Sequence, residues 1–362
     1  MNDVQTTEAP AVSVIMPVYN VERFVVQAIR SVYAQSFQDF ELIIVDDGGS
    51  DRSVALCEAM ADHRTRILHQ ANRGLAGARN TGIAAARGEF VALLDSDDMF
   101  APDKLATHVA LLRANPDVGV CYAGAELIDE ADRPVGIRQR PLLGAVTARN
   151  VFCGQVIRNG SIPVFRKATL EQAALRPTAS GSAEPNGRGA SREGQRTING
   201  LASLTDGTPD RVWYFDETLR QSEDVECWVR IALTTDWGFA GVPGELTRYR
   251  VNAGGLSADV IRQLASWERV YDKIAAYAPD FIAAHGREAR ARELRYLARR
   301  CFQMRDRGLA FQMAWEGLRL CPALLVREPV KTLTTLAACA LLRLMPEAPF
   351  AAVTRAAGVP SA

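Results

Sequence analysis

Apolar, β-branched runs alternate with amphipathic stretches through the first hundred or so positions. Val12 to Met16 is a short strand-like run that stops at Pro17. From about Val21 a helix follows, with Val25, Ala28, Ile29 and Val32 on one face. Leu42 to Val45 predicts a second strand, ending in Asp46-Asp47-Gly48-Gly49-Ser50. Ser50 or Asp51 can cap the next helix, which reaches about Ala61. Arg66 to His69 is a third, short strand, and Leu75 to Arg87 a helix closed by Gly88 at its C′ position. Phe90 to Leu94 predicts a fourth strand running straight into Asp95-Ser96-Asp97-Asp98. Pro102 then opens a helix to about Ala114. This βαβαβαβ order predicts an α/β domain built on a doubly wound, mostly parallel sheet with helices on both faces. Ligands bind such sheets at the carboxyl ends of the strands, so the polar clusters after strands one, two and four mark the site.

Further on the pattern changes twice. From Arg176 to Arg211 Gly, Ser, Pro and Thr dominate, with few large apolar residues, which predicts a disordered surface insertion. From about Ile261 the spacing becomes helical, as in Leu294, Leu297, Ala298, Cys301 and Phe302. Two or three antiparallel helices and a last amphipathic one, around Thr332 to Leu344, are expected. The chain thus divides into a disordered tail (1–10), a catalytic-type domain (11–260, with 176–211 inserted), a C-terminal helical region (261–350) and a second tail (351–362).

Composition narrows the class. Net charge is zero, with 42 basic and 42 acidic residues, which gives no support to nucleic-acid binding. The charge is unevenly placed: residues 261–362 carry 16 Arg or Lys against 9 Asp or Glu, leaving 26 against 33 before them. A basic, Leu/Ala-rich end fits weak attraction to an anionic membrane face, and equally a solvated set of Arg-rich helices. The seven cysteines form no CxxC pair and sit mostly among apolar neighbours, as buried thiols do in a reducing compartment. No signal peptide is visible, and the apolar run from Leu336 to Met345 is broken by Arg343 and too short to span a bilayer. A cytoplasmic protein with peripheral membrane contact is expected.

The candidate chemistry lies in four polar blocks. Asp95 and Asp97, spaced i, i+2 at a strand exit, can converge on a hard cation such as Mg²⁺ or Mn²⁺ that also binds substrate phosphates. A departing diphosphate needs that neutralisation. Asp and Ser equally favour turns and helix caps, so the tripeptide alone supports either reading. Asp46-Asp47 could accept hydrogen bonds from a base edge or ribose, or simply form a turn. Arg73 and Arg79, in Asn72-Arg73-Gly74-Leu75-Ala76-Gly77-Ala78-Arg79-Asn80, provide cations for a diphosphate near a helix start. Glu223-Asp224 opens a helix whose apolar face holds Val225, Trp228, Val229 and Ile231. The pair either complements the helix dipole or supplies a general base. There is no GxGxxG and no GxxxxGK[ST], and the four histidines form no cluster.

Together these blocks resemble the family-2 glycosyltransferases of GT-A fold, the kind that build bacterial surface polysaccharides. The resemblance rests on VSVIMPVYN, ELIIVDDGGSD and NRGLAGARNTGIAAARGEFVALLDSDDMFAPDKL, resumes at FDETLRQSEDVECWVRIAL, and fades after YRVNAGGLS. It implies an inverting transfer of a sugar from a nucleotide-sugar, by family habit a UDP-sugar, to a hydroxyl of a saccharide or lipid-linked saccharide. It implies that Pro17, Tyr19 and Asp47, with Asp46 adjacent, line the nucleoside pocket, and that Arg73 and Arg79 contact base or diphosphate. Asp97 would hold Mn²⁺ or Mg²⁺, with Asp95 and Ser96 completing the DxD motif beside ribose, sugar or metal. Asp224, next to Glu223, would be the base.

Three departures bear on these expectations. The usual Asp-Asp-Gly-Ser is Asp-Asp-Gly-Gly-Ser here, Arg176 to Tyr214 is an insertion near the acceptor side, and Asn252 stands where many relatives have a metal-reaching His. The QxxRW signature of processive synthases is absent after Asp224. Two other functions compete. A non-catalytic nucleotide-binding scaffold of a polysaccharide assembly would lack need of Asp95, Asp97 and Asp224. A sugar nucleotidyltransferase would need a Gly-rich basic loop after the first strand, where Met16-Pro17-Val18-Tyr19-Asn20 stands instead.

Overall fold

A computed structural model describes residues 9–175, 212–251 and 259–345. The expectations for most of the N-terminal tail, for 176–211, for Asn252 and for 351–362 lie outside the described residues. The chain forms two compact units, one of residues up to Val151 and from Gln155 to Gly255, the other of Phe152–Gly154 and the residues from Leu256 on.

The first unit is built on one nine-stranded sheet. Strands β1 (Val12–Val18), β2 (Phe40–Asp46), β3 (Thr65–His69) and β4 (Phe90–Leu93) run parallel in the order β3-β2-β1-β4. They alternate with helices α1 (Val25–Tyr33), α2 (Ser53–Met60) and α3 (Gly74–Ala85), as the pattern predicts. All seven side chains of β1 are buried, which is why its sequence is apolar on both faces. The strand continues through Pro17, which lies opposite Val45. Pairing of β1 with β4 ends at Ile15–Leu93, so the missing N–H of Pro17 breaks no ladder on that side.

Beyond β4 the sheet is mixed. β8 (Val164–Arg166) is antiparallel to β4, β6 (Val118–Ile128) antiparallel to β8, and β9 (Gly238–Arg250) parallel to β6. The short β5 (Met99–Phe100) pairs antiparallel with β9, and β7 (Pro134–Gln139) with β6. Helices α4 (Lys104–Ala114), α5 (Ala148–Gly154), α6 (Lys167–Gln172) and α7 (Glu223–Thr234) complete this part of the chain. Gly88 does not cap α3 in the left-handed conformation expected of it. Its role is close approach: a Cβ there would lie 2.7 Å from the Ser13 nitrogen of β1.

In the second unit, α8 (Val260–Tyr277), α9 (Pro279–Gln303), α10 (Arg307–Leu320), α11 (Leu324–Arg327) and α12 (Pro329–Leu344) follow one another. Leu294, Leu297, Cys301, Met313 and Leu342 meet in its core. Asp259 and Asp306 cap α8 and α10 by accepting backbone N–H bonds. No helix among the described residues is long and apolar enough to cross a membrane.

Candidate active site

The polar blocks converge at the carboxyl edge of the parallel strands, and Arg79 joins them. It lies on α3 with its side chain only 1% exposed. One terminal nitrogen bonds Asp95 Oδ1 at 2.7 Å and the other bonds Glu223 Oε1 at 2.8 Å. Burial opposes its charge, yet Asp95, Glu223 and Asp224 outweigh that and raise its pKa. The guanidinium therefore acts within the protein, tying the exit of β4 to the start of α7. Burial also raises the pKa of Glu223, to about 7, with Arg79 opposing and Asp224 reinforcing. Asp224 is half-buried beside it and is likewise raised by burial, against the pull of Arg79.

The three aspartates after β4 have different surroundings. Asp95 takes the Arg79 bond. Ser96 is buried and Asp97 is half-buried. Asp98 faces inward: it is 1% exposed, and its carboxylate accepts from Ser161 Oγ and from the Arg250 N–H. Burial, with Asp97 and Asp95 nearby, pushes its pKa well up.

After β2, Asp47 is buried and fully engaged. Its Oδ1 accepts from Gln70 and the Arg73 N–H, and its Oδ2 from the Gly74 N–H, so it holds the start of α3. Asp46 accepts from the Gly48 N–H at 3.0 Å and lies 3.0 Å from His69 Nδ1. Gly49 of the Asp-Asp-Gly-Gly-Ser loop packs against Asn20, whose side chain accepts the Ser50 N–H. At the end of β1, Pro17 is buried and Tyr19 is 50% exposed. Arg73 lies on Glu217 and Thr81, side chains of the protein itself.

Several contributors carry no local sequence signal. Asn80, one residue after Arg79, accepts the Tyr214 and Phe215 N–H groups and donates to the Phe215 carbonyl and Glu217. It thereby anchors the segment leading into α7. A motif search misses it because its partners lie some 135 positions away.

Among the described residues no three His, Cys, Asp or Glu side chains converge as a complete metal cage. The donors of the acidic motif are oxygens alone, which suits a hard cation that draws further ligands from phosphate and water, and not a zinc-type site.

Residues 13–172 match Glycosyl transferase family 2. Glycosyltransferase GlyG of Streptococcus pneumoniae is 40% identical over 124 residues, 33% of this chain and 41% of that protein. The chain spans between 26% and 41% of the length of the first curated relatives it matches. Two solved structures share the fold at low identity. TarS 1-349 of S. aureus, in complex with UDP-GlcNAc, has a TM-score of 0.56 at 16% identity, over 92% of this chain and 91% of that one. The mannosyltransferase PcManGT of Pyrobaculum calidifontis, in complex with GDP-Man and Mn²⁺, has a TM-score of 0.52 at 20% identity, over 94% and 89%. With its acidic motif at the edge of a sheet of this GT-A type, the chain is similar, through residues 13–172, to glycosyl transferase family 2.

Proposed function

We propose that the chain is an inverting glycosyltransferase that moves a sugar from a nucleotide-sugar, a UDP-sugar first among them, to an acceptor hydroxyl in surface-polysaccharide synthesis. One observation carries this reading: Arg79 brings Asp95 of the acidic motif and Glu223, neighbour of Asp224, to one buried guanidinium. A cation-binding carboxylate pair and a candidate base are thus held together, although they lie in distant parts of the sequence. The complexes of the two structural relatives, with UDP-GlcNAc and with GDP-Man and Mn²⁺, support a nucleotide-sugar donor and a divalent cation.

In this mechanism Asp224 takes the proton of the acceptor hydroxyl as its oxygen bonds the anomeric carbon. The bond from that carbon to the diphosphate oxygen breaks on the opposite face, so the configuration inverts. Asp97, with Asp95, would hold Mn²⁺ or Mg²⁺, which when bound neutralises the departing diphosphate. Tyr19, Pro17, Asp46 and Asp47 border the nucleoside side. Arg79 and Arg73 act chiefly by fixing the carboxylates and the start of α7. The acceptor is a saccharide or a lipid-linked saccharide, met by a protein that works at the inner membrane face.

The test is calorimetric titration of UDP and GDP, with and without Mn²⁺, on the wild type and on Asp97→Ala. Mn²⁺-dependent UDP binding that vanishes in the variant is expected. Binding of neither nucleotide by folded protein would overturn the donor assignment, and binding without turnover of any acceptor would favour the scaffold.

A further inference from the structure

The turn before β8 contains a serine to which no motif draws attention. Ser161 is fully buried. Its Oγ accepts the Asp95 N–H at 2.9 Å and donates to Asp98 Oδ2 at 2.6 Å. A hydroxyl has one hydrogen to give, so these two bonds set it in a single orientation. The Asp98 N–H returns to the Asp95 carbonyl at 2.9 Å, closing the tetrapeptide as a turn. Ser161 thus grips that turn at both ends, with Asp97 between them. From the other side Arg250 gives its backbone N–H to Asp98 and its Nε to the Asp97 carbonyl, at 2.9 and 2.8 Å.

The turn carrying Ser161 is itself held. Thr247 Oγ1 donates to the Ser161 carbonyl at 3.2 Å, while buried Lys104 donates to the Ile162 carbonyl at 2.7 Å and to Thr247 at 3.2 Å. The preceding residue must be glycine for a steric reason: a Cβ on Gly160 would fall 2.1 Å from Arg79 Nη2. One turn therefore meets both the Arg79 ion-pair partner of Asp95 and the two ends of the acidic motif.

We propose that Ser161 is a positioning residue for the divalent cation: by clamping Asp95 and Asp98 it holds the backbone of Asp97 in the one conformation that presents its carboxylate to metal and diphosphate. The proposal rests on the reading of Asp97 as a metal ligand. Ser161 itself contacts neither donor nor acceptor. Asp98, whose carboxylate accepts from Ser161 and from Arg250, serves as the inward anchor of the turn and not as a ligand. Partners behind metal ligands characteristically change metal affinity about 10- to 100-fold when removed.

The experiment measures UDP affinity by calorimetry, with and without Mn²⁺, on the full chain and its Ser161→Ala and Ser161→Thr variants, with thermal melts on each. In Ser161→Ala the gain in UDP affinity on adding Mn²⁺ should shrink about tenfold or more, while UDP affinity without metal stays at the wild-type level. Ser161→Thr keeps the hydroxyl and should retain most of the gain. A serine needed only for packing would lower the melting temperature and leave the Mn²⁺ gain intact, and that outcome overturns the proposal. Should Ser161→Ala not fold, Thr247→Val loosens the same turn from outside; an undiminished Mn²⁺ gain there would overturn it equally. No Mn²⁺ gain in the wild type would instead sink the metal reading on which the proposal depends.

Discussion

Glu223 and Asp224 are neighbouring carboxyls with different surroundings. Glu223 is 5% exposed and bonded to Arg79, whereas Asp224 is half-buried and accepts the N–H of its neighbour Val225. Burial raises both pKa values. A base must be ionised to take a proton, so activity is lost as pH falls through the raised pKa of Asp224. Accordingly Asp224→Asn should lower kcat about 10²- to 10⁴-fold with UDP affinity retained. The acid limb of kcat/KM in the wild type should lie above the ordinary aspartate value of about 3.9. Full kcat in the variant, or a limb at or below that value, would remove Asp224 from the role. Asp95, Asp97 and Asp224 were legible in the sequence because each sits where a strand ends or a helix begins, and such signals are local. The partnership of Arg79 was not, because a lone arginine in a glycine-rich stretch reads as a phosphate ligand until its carboxylates, one 144 positions away, are placed beside it. Ser161 was invisible for the same reason: its partners lie 66 and 63 positions earlier.

Element α7 supports the site by a second buried pair on its inward face. Glu226 and Arg230 are both wholly buried, one turn apart and bonded through Nε at 3.0 Å. Arg230 also reaches the Ala173 and Tyr214 carbonyls, next to the bridge that pairs Leu175 with Trp213. The two chain segments flanking 176–211 thus meet at one guanidinium. Glu226→Leu removes the buried carboxylate that accepts from Arg230, and should destabilise the fold by about 3–5 kcal/mol in urea titrations. Adding Arg230→Met should not restore the wild type, because the two carbonyls lose their donor. Full recovery would mean the pair acts alone. Among the elements, the parallel strands β1, β2 and β4 could be seen in advance because both their faces are buried and their sequences are mostly apolar. β6, β8 and β9 could not. β8 is three residues long, and the long β6 and β9 carry glycines and shift register against one another. Their pairing joins segments far apart in the chain, so no local period announces it.

The molecule as a whole has an uneven charge, and its basic part includes a helix with an uneven surface. On α12 Thr332, Thr335, Cys339 and Leu342 are buried. On the opposite side Val330, Leu333, Leu341 and Leu344 are 72%, 55%, 45% and 79% exposed. Their spacing of three to eight residues, with exposed Ala337 between, places them along one stripe of the helix. Lys331 and Arg343 flank it, and Arg327 stands just before it. The sequence revealed an amphipathic stretch but not its orientation, since the Thr and Cys positions turn inward and the Leu positions face out. An apolar stripe beside cations is the pattern of a helix lying in a membrane interface, where acyl contact and anionic headgroups act together. The protein should therefore sediment with vesicles rich in anionic lipid, less so with neutral vesicles, and less as salt is raised. Leu333→Glu with Leu341→Glu should abolish that binding and leave UDP affinity unchanged, because both residues belong to the helical unit whereas the nucleotide motifs belong to the other. Equal binding to neutral and anionic vesicles would leave the cations without a part in it. No binding to either would make the stripe a surface for something other than lipid, and would place the acceptor's membrane, if it has one, outside the reach of this helix.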